Sequence, residues 1–264
     1  MIAALQMYDL PELRAETDAL WAAFAEALRA RGVAAPDRLA RPEAVDGPWT
    51  RPDLLLAQTC GWPYVTRLRG RVRLVATPCH AAEGCDGPRY RSIIVARADD
   101  PAPDLAAMRG RRLAYNAPDS QSGVQALRAA VAPLAEGRPF FAETVRTGAH
   151  RASMAAVAAG HADVAAIDCV TWALLDRVAP RETAGLRALG WTPAAPGLPL
   201  ISAAEGARLA AIGDATLHVL RAPETAALRA PLLIAGAAAP EDAAYDRLTA
   251  LAAEADALGC PALA

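Results

Sequence analysis

Apolar positions along the chain come as short continuous runs separated by stretches of helical period, and that alternation predicts parallel α/β layering. Residues 2–7 read as a buried strand. Pro11 then opens a helix to about Arg31, with Leu13, Leu20, Phe24 and Leu28 on one face and Gly32 as the stop. Residues 54–57 and 74–77 are further buried strands. The first delivers Gln58, Thr59, Cys60, Gly61, Trp62, Pro63 and Tyr64 at its carboxyl end. Residues 90–98 form a long β-branched run that ends at Asp99-Asp100-Pro101.

From Asp104 the pattern restarts. A short helix over 105–108 precedes a strand at 113–115, and a strand over 140–145 ends in Thr147-Gly148-Ala149-His150-Arg151. A helix over 153–159 closes at Gly160, and a buried strand over 164–167 leads through Asp168 into a helix carrying Trp172, Leu174 and Leu175. Residues 186–189 are a strand and 191–201 a Pro-rich crossing; the remainder is Ala-rich amphipathic helix with one apolar run at 231–235. The expected architecture has two lobes, residues 1–96 with 192–264 and residues 97–191. Each is a mostly parallel sheet flanked by helices, and two crossing strands join them. Ligands of such sheets bind beyond strand carboxyl ends, so a cleft between lobes is the expected site.

Residues 111–127 hold the sharpest local signal. The β-prone run Leu113-Ala114-Tyr115 meets the turn formers Asn116, Pro118 and Asp119. Ser120-Gln121-Ser122-Gly123 then starts a helix with Val124 and Leu127 at helical spacing. A strand turning sharply into a helix presents hydroxyls and backbone N–H groups at the positive end of the macrodipole, which suits an anion. An ordinary serine N-cap uses the same residues.

Composition narrows the function. Alanine inflates the 54% hydrophobic content, and no apolar run is long and uncharged enough to read as a membrane-spanning helix. The net charge is -2 and the arginines are scattered, so nothing points to nucleic acid. All 27 basic residues are Arg, which excludes Schiff-base and pyridoxal-phosphate chemistry and a Walker A loop. No cofactor is expected. The five cysteines form no CxxC pattern. Cys79 and Cys85 share a turn-rich loop, with Cys60 a candidate neighbour. Three readings stay open there: a disulfide, free thiols, or a metal site using His80, although the spacing fits no standard zinc pattern. The N-terminus shows no basic n-region and no signal peptide as written, and a trimmed leader would leave the same appearance.

Three segments together resemble a known family: Met7-Tyr8-Asp9 followed by Pro11-Glu12, the DSQSG turn at 119–123, and GAHRASMAAVAAGHADVAAIDCVTWALL at 148–175. The chain resembles the PhnD-like phosphonate/phosphate binding components of ABC transporters, which are type II bilobed periplasmic proteins. The later PGLPLI at 196–201 fits too, and the resemblance spans residues 1–200. It implies that the hydroxyls of Ser120 and Ser122, with N–H groups of the turn through Gln121 and Gly123, contact an anionic group. It further implies His150 as a second donor to that anion and Arg151 as a charged partner. Asp168 would receive a ligand amine, tie down loops, or simply cap the next helix. Tyr8, Gln58, Thr59, Trp62, Tyr64, Tyr90 and Ser92 would close over the ligand from the first lobe. Trp49, flanked by prolines, reads as surface cover.

The expected function is capture of a small anion-bearing or zwitterionic solute for an ABC permease, by a periplasmic monomer without enzymatic turnover. One alternative is a cytoplasmic ligand-sensing domain, which the lack of a visible leader favours. Another is an enzyme on the same fold pairing Cys60 or Cys169 with His80 or His150. No G-x-S-x-G, HExxH or paired-carboxylate signature supports the enzyme.

Overall fold

The computed structural model describes residues 1–264. Its strands in chain order are β1 (Ile2–Ala4), β2 (Leu54–Gln58), β3 (Arg73–His80), β4 (Arg89–Tyr90), β5 (Ser92–Arg97) and β6 (Arg112–Tyr115). There follow β7 (Glu143–Arg146), β8 (Val164–Asp168), β9 (Leu186–Trp191), β10 (Ala195–Pro196), β11 (Leu200–Ser202) and β12 (Ile234–Ala238). The principal helices are α1 (Arg14–Ala30), α2 (Ala126–Ala135), α3 (His150–Ala158), α4 (Cys169–Val178), α5 (Gly206–Arg221) and α6 (Asp246–Ala257). The chain divides into two units, Met1–Ala81 with Asp86–Pro88 and Gly197–Ala244, and Ala82–Cys85 with Arg89–Pro196 and Tyr245–Ala264.

These boundaries differ from the expected ones at residues 82–85, 89–96, 192–196 and 245–264, all of which fall in the second unit. β5 lies in the second unit's sheet, so residues 89–96 belong there. The C-terminal residues 245–264 belong there too, because α6 packs on α2.

In the first unit the sheet order is β1-β2-β11-β3-β12. β1 pairs parallel with β2, while β11 sits between β2 and β3 and runs antiparallel to both. β1, β2 and β3 therefore point the same way, as the α/β alternation predicts, and their carboxyl ends share an edge. The antiparallel members, β11 and β12, come from the Pro-rich crossing and the late apolar run, so the sheet is mixed. Every residue of β2 is buried, as expected for a strand covered on both faces. α1 buries Leu20, Trp21, Phe24 and Leu28. It stops at Gly32, whose φ of +74° is a left-handed helix end that glycine adopts without strain. Trp49 is not surface cover: it is 2% exposed and its Nε1–H donates to the Gln58 carbonyl at 3.0 Å.

The second sheet has the order β7-β6-β8-β5-β9. β6 is parallel to β7 and β8, and β5 runs antiparallel to β8 and β9. The carboxyl ends of β6, β7 and β8 thus lie along the same edge as the amino end of β5, and Ser92 stands opposite Asp168. β7 begins only at Glu143, because Phe140 and Phe141 turn into the core as an edge-to-face pair with centroids 4.9 Å apart.

Candidate functional site

The edge of the second sheet gathers most of the residues singled out by sequence. After β6 the chain turns at Asn116, and Ser120 holds an extended conformation with φ -76° and ψ 128°. Its Oγ accepts the Gly123 N–H at 3.0 Å, so the helix starts on a serine cap. Residues Gln121–Gln125 wind as a single wide turn before α2, and the Gln125 N–H reaches back to the Ser120 carbonyl at 3.1 Å. Such wide turns recur at functional positions. The Gly123 N–H is therefore bonded within the cap rather than directed at a ligand, which corrects one expectation.

Ser122 is the centre of the cluster. Its Oγ lies 2.8 Å from His150 Nε2, and its carbonyl accepts the Ser92 hydroxyl at 2.9 Å. Ser92, 1% exposed, thus braces the turn from β5. His150 opens α3, following the short connection after β7. Desolvation lowers its pKa to about 4, only partly offset by the Ala166 backbone, so the imidazole is neutral at pH 7. Asn116 Oδ1 is buried without a hydrogen-bond partner. Gln121 is 1% exposed and sits inside the turn.

The two expected charged partners are engaged elsewhere. Arg151 grips Glu182 through two contacts of 2.8 and 2.5 Å. Asp168 accepts the N–H groups of Val170 and Thr171 at 2.8 and 3.1 Å, capping α4. What remains is a set of neutral donors at a strand-to-helix turn, chemistry suited to an anion.

The first-unit candidates scatter more. Tyr8 and Gln58 line a small, mainly apolar pocket with His80, Leu20, Phe24 and Leu200. Tyr8 meets His80 edge-on, with ring centroids 5.2 Å apart. Sequence reading weighed His80 only as a metal ligand or catalytic base. That β1 and β3 share an orientation was the available signal for its place beside Tyr8. Thr59 is fully buried and turned inward, its N–H bonded to the Pro199 carbonyl at 3.0 Å. Tyr64 donates to Asp242 at 2.5 Å, and Tyr90 is buried in β4 opposite Ala195. The five cysteines are free thiols, and Cys85 lies beside Cys169 rather than Cys79. No group of three or more His, Cys, Asp or Glu side chains is placed to hold a metal.

Desolvation holds His80 near 4 as well, first and only by burial. Both groups titrate near 6.5 when unfolded, so between those values the unfolded chain binds more protons and folding is penalised. Stability from these groups is complete above about pH 6.5 and is lost as pH falls toward 4. The melting midpoint should drop over that window, and His80→Asn with His150→Asn should flatten the drop. An identical slope in the double variant would refute the assignment.

Two α/β units, each a mixed sheet flanked by helices, give the fold class of the periplasmic binding proteins. The chain belongs to the family described as phosphonate ABC transporter, periplasmic substrate-binding protein, matched over residues 53–245. No curated protein matches it significantly. Among solved structures, a binding component of an ABC phosphonate transporter from Pseudomonas aeruginosa (PA3383) is 18% identical with a TM-score of 0.76, over 97% of this chain and 87% of that one. PhnD1 of Prochlorococcus marinus, in complex with methylphosphonate, is 14% identical with a TM-score of 0.75, over 97% and 98%. A histidine kinase sensor domain is 21% identical with a TM-score of 0.59, over 91% and 98%. These likenesses concern the fold.

Proposed function

We propose that this chain binds a small molecule bearing a phosphonate or phosphate group at the Ser120–Ser122–His150 edge of its second unit, and passes it unaltered to an ABC permease. The supporting observation is the 2.8 Å contact between Ser122 Oγ and a neutral His150, in a turn built on the Ser120 cap. A dianion arriving there gains hydroxyl and helix N-terminal donors without a buried lysine or arginine to balance. Ser92 acts through Ser122, holding its carbonyl. Family membership favours a periplasmic location, and the reading takes the protein as a monomer.

Titration calorimetry with methylphosphonate, inorganic phosphate and acetate tests this. The phosphorus anions should bind and Ser122→Ala should weaken them about 10- to 100-fold, the equivalent of a charge-assisted hydrogen bond. Unchanged affinity in Ser122→Ala would remove the site from the second unit's edge. Ligand recovered chemically intact separates binding from turnover. The likeness to a kinase sensor domain supports a second reading, in which the same binding event signals rather than transports. Co-purification with a permease, or with a signalling partner, separates the two.

A further inference from the structure

We propose that Cys85 and Cys169 are a redox-active pair that closes to an intramolecular disulfide, a modification site of the second unit that stands apart from anion binding. The two sulfurs lie 3.5 Å apart, although 84 residues separate them in the chain. Both backbones are anchored. The Cys85 N–H bonds to the Ala82 carbonyl at 3.0 Å, closing a turn, and the Cys169 N–H bonds to the Arg91 carbonyl at 3.2 Å. Between them, Gly84 has a φ of +93°, and a Cβ there would lie 2.6 Å from Trp191 Cζ3 and 3.2 Å from the Cys169 Cβ. The turn therefore presses against the start of α4 in a way only glycine permits. Closing the sulfurs to the ~2.05 Å of a disulfide asks for side-chain rotation within that contact. Cys79, the sequence neighbour of Cys85, directs its thiol to the Thr77 carbonyl instead.

The asymmetry of the pair sets the order of events. Cys85 is partly exposed and meets the oxidant, whereas Cys169 is 1% exposed. The thiol hydrogen bond from Cys169 lowers the Cys85 pKa, against its burial and the nearby Asp168 charge. The same bond, with burial, raises that of Cys169. The Cys85 thiolate attacks one sulfur of an external disulfide, whose S–S bond breaks and whose leaving thiolate takes up a proton. Cys169 then gives up its proton and attacks the Cys85 sulfur, expelling the second thiolate. Two protein thiols are oxidised and one external disulfide is reduced to two thiols. A periplasm maintains such bonds. The bridge ties the turn that follows β3 to the first residue of α4.

The full chain is incubated with oxidised glutathione or with dithiothreitol, alkylated, and digested. Free thiols should fall from five to about three, with the Cys85 peptide joined to the Cys169 peptide. The melting midpoint of the oxidised form should rise by about 5 to 10 °C. Cys85→Ser and Cys169→Ser should each abolish both the linked peptide and the redox-dependent midpoint. If either variant fails to fold, the wild-type peptide map decides alone. Five thiols persisting after oxidation, glutathione retained on Cys85, or a Cys79–Cys85 link would each overturn the proposal.

Discussion

Gly123→Ala is expected to weaken phosphonate or phosphate binding by about 100-fold or more and to lower stability by about 1–3 kcal/mol. The reason is steric, because the backbone at Gly123 does not require positive φ. An added Cβ would lie 2.0 Å from Asn116 Oδ1 and 3.3 Å from Ser120 Oγ. Asn116 is short and its oxygen buried, so the strain passes to the turn itself. Moving the turn breaks the Ser120 cap and displaces the Ser122 hydroxyl from His150, at the point where binding is proposed. Calorimetry reads the affinity and thermal melting the stability. Asn116→Ala combined with Gly123→Ala removes the clashing oxygen and should restore most of both, as coupled neighbours do in a double-mutant cycle. Wild-type behaviour in the single variant would mean that the turn tolerates a side chain, and the close packing assigned to it would fall.

Arg128→Ala has the largest expected effect on stability alone, about 3–5 kcal/mol from unsatisfied buried carbonyls and the cavity left behind. Arg128 is 6% exposed and anchors the C-terminal segment. Its Nη1 bonds to Asp256 and to the carbonyls of Cys260 and Pro261 at 3.2 and 3.3 Å, and its Nη2 to the Ala252 carbonyl at 3.2 Å. Asp256 is 59% exposed, so stranding its charge contributes little; the cost lies in the orphaned carbonyls and the void left among them. That segment also places Ala255, Cys260 and Leu263 in the second unit's core. The midpoint should fall by about 6–15 °C, and hydrogen exchange over residues 245–264 should quicken first. Uniform protection there in the variant would show that apolar packing alone holds the segment.

Much of the candidate site was legible because its signals are local. Ser120 as a cap, the buried Ser122-Gly123 pair and His150 at the next strand-to-helix turn all follow from turn formers placed between apolar runs. Arg151 and Thr59 were legible as positions but not as roles, whereas the helix cap at Asp168 was one of the readings its place after a buried strand offered. Whether a side chain at a strand end faces a ligand, caps a helix or meets Glu182 depends on neighbours far along the chain. Trp49 misled for the same cause, since flanking prolines say nothing of the Gln58 carbonyl it meets.

The amino-acid sequence by itself determined the α/β character, the long buried stripe of α1, the serine-rich helix start and a family resemblance, because hydrophobic period and capping act over a few residues. Tertiary structure decided the insertion of β11 between β2 and β3, the antiparallel β5 that brings Ser92 to Ser122, the C-terminal segment under Arg128 and the meeting of Cys85 with Cys169. Those contacts join residues distant in the chain, and they form only when sheet order and register close the long loops between them.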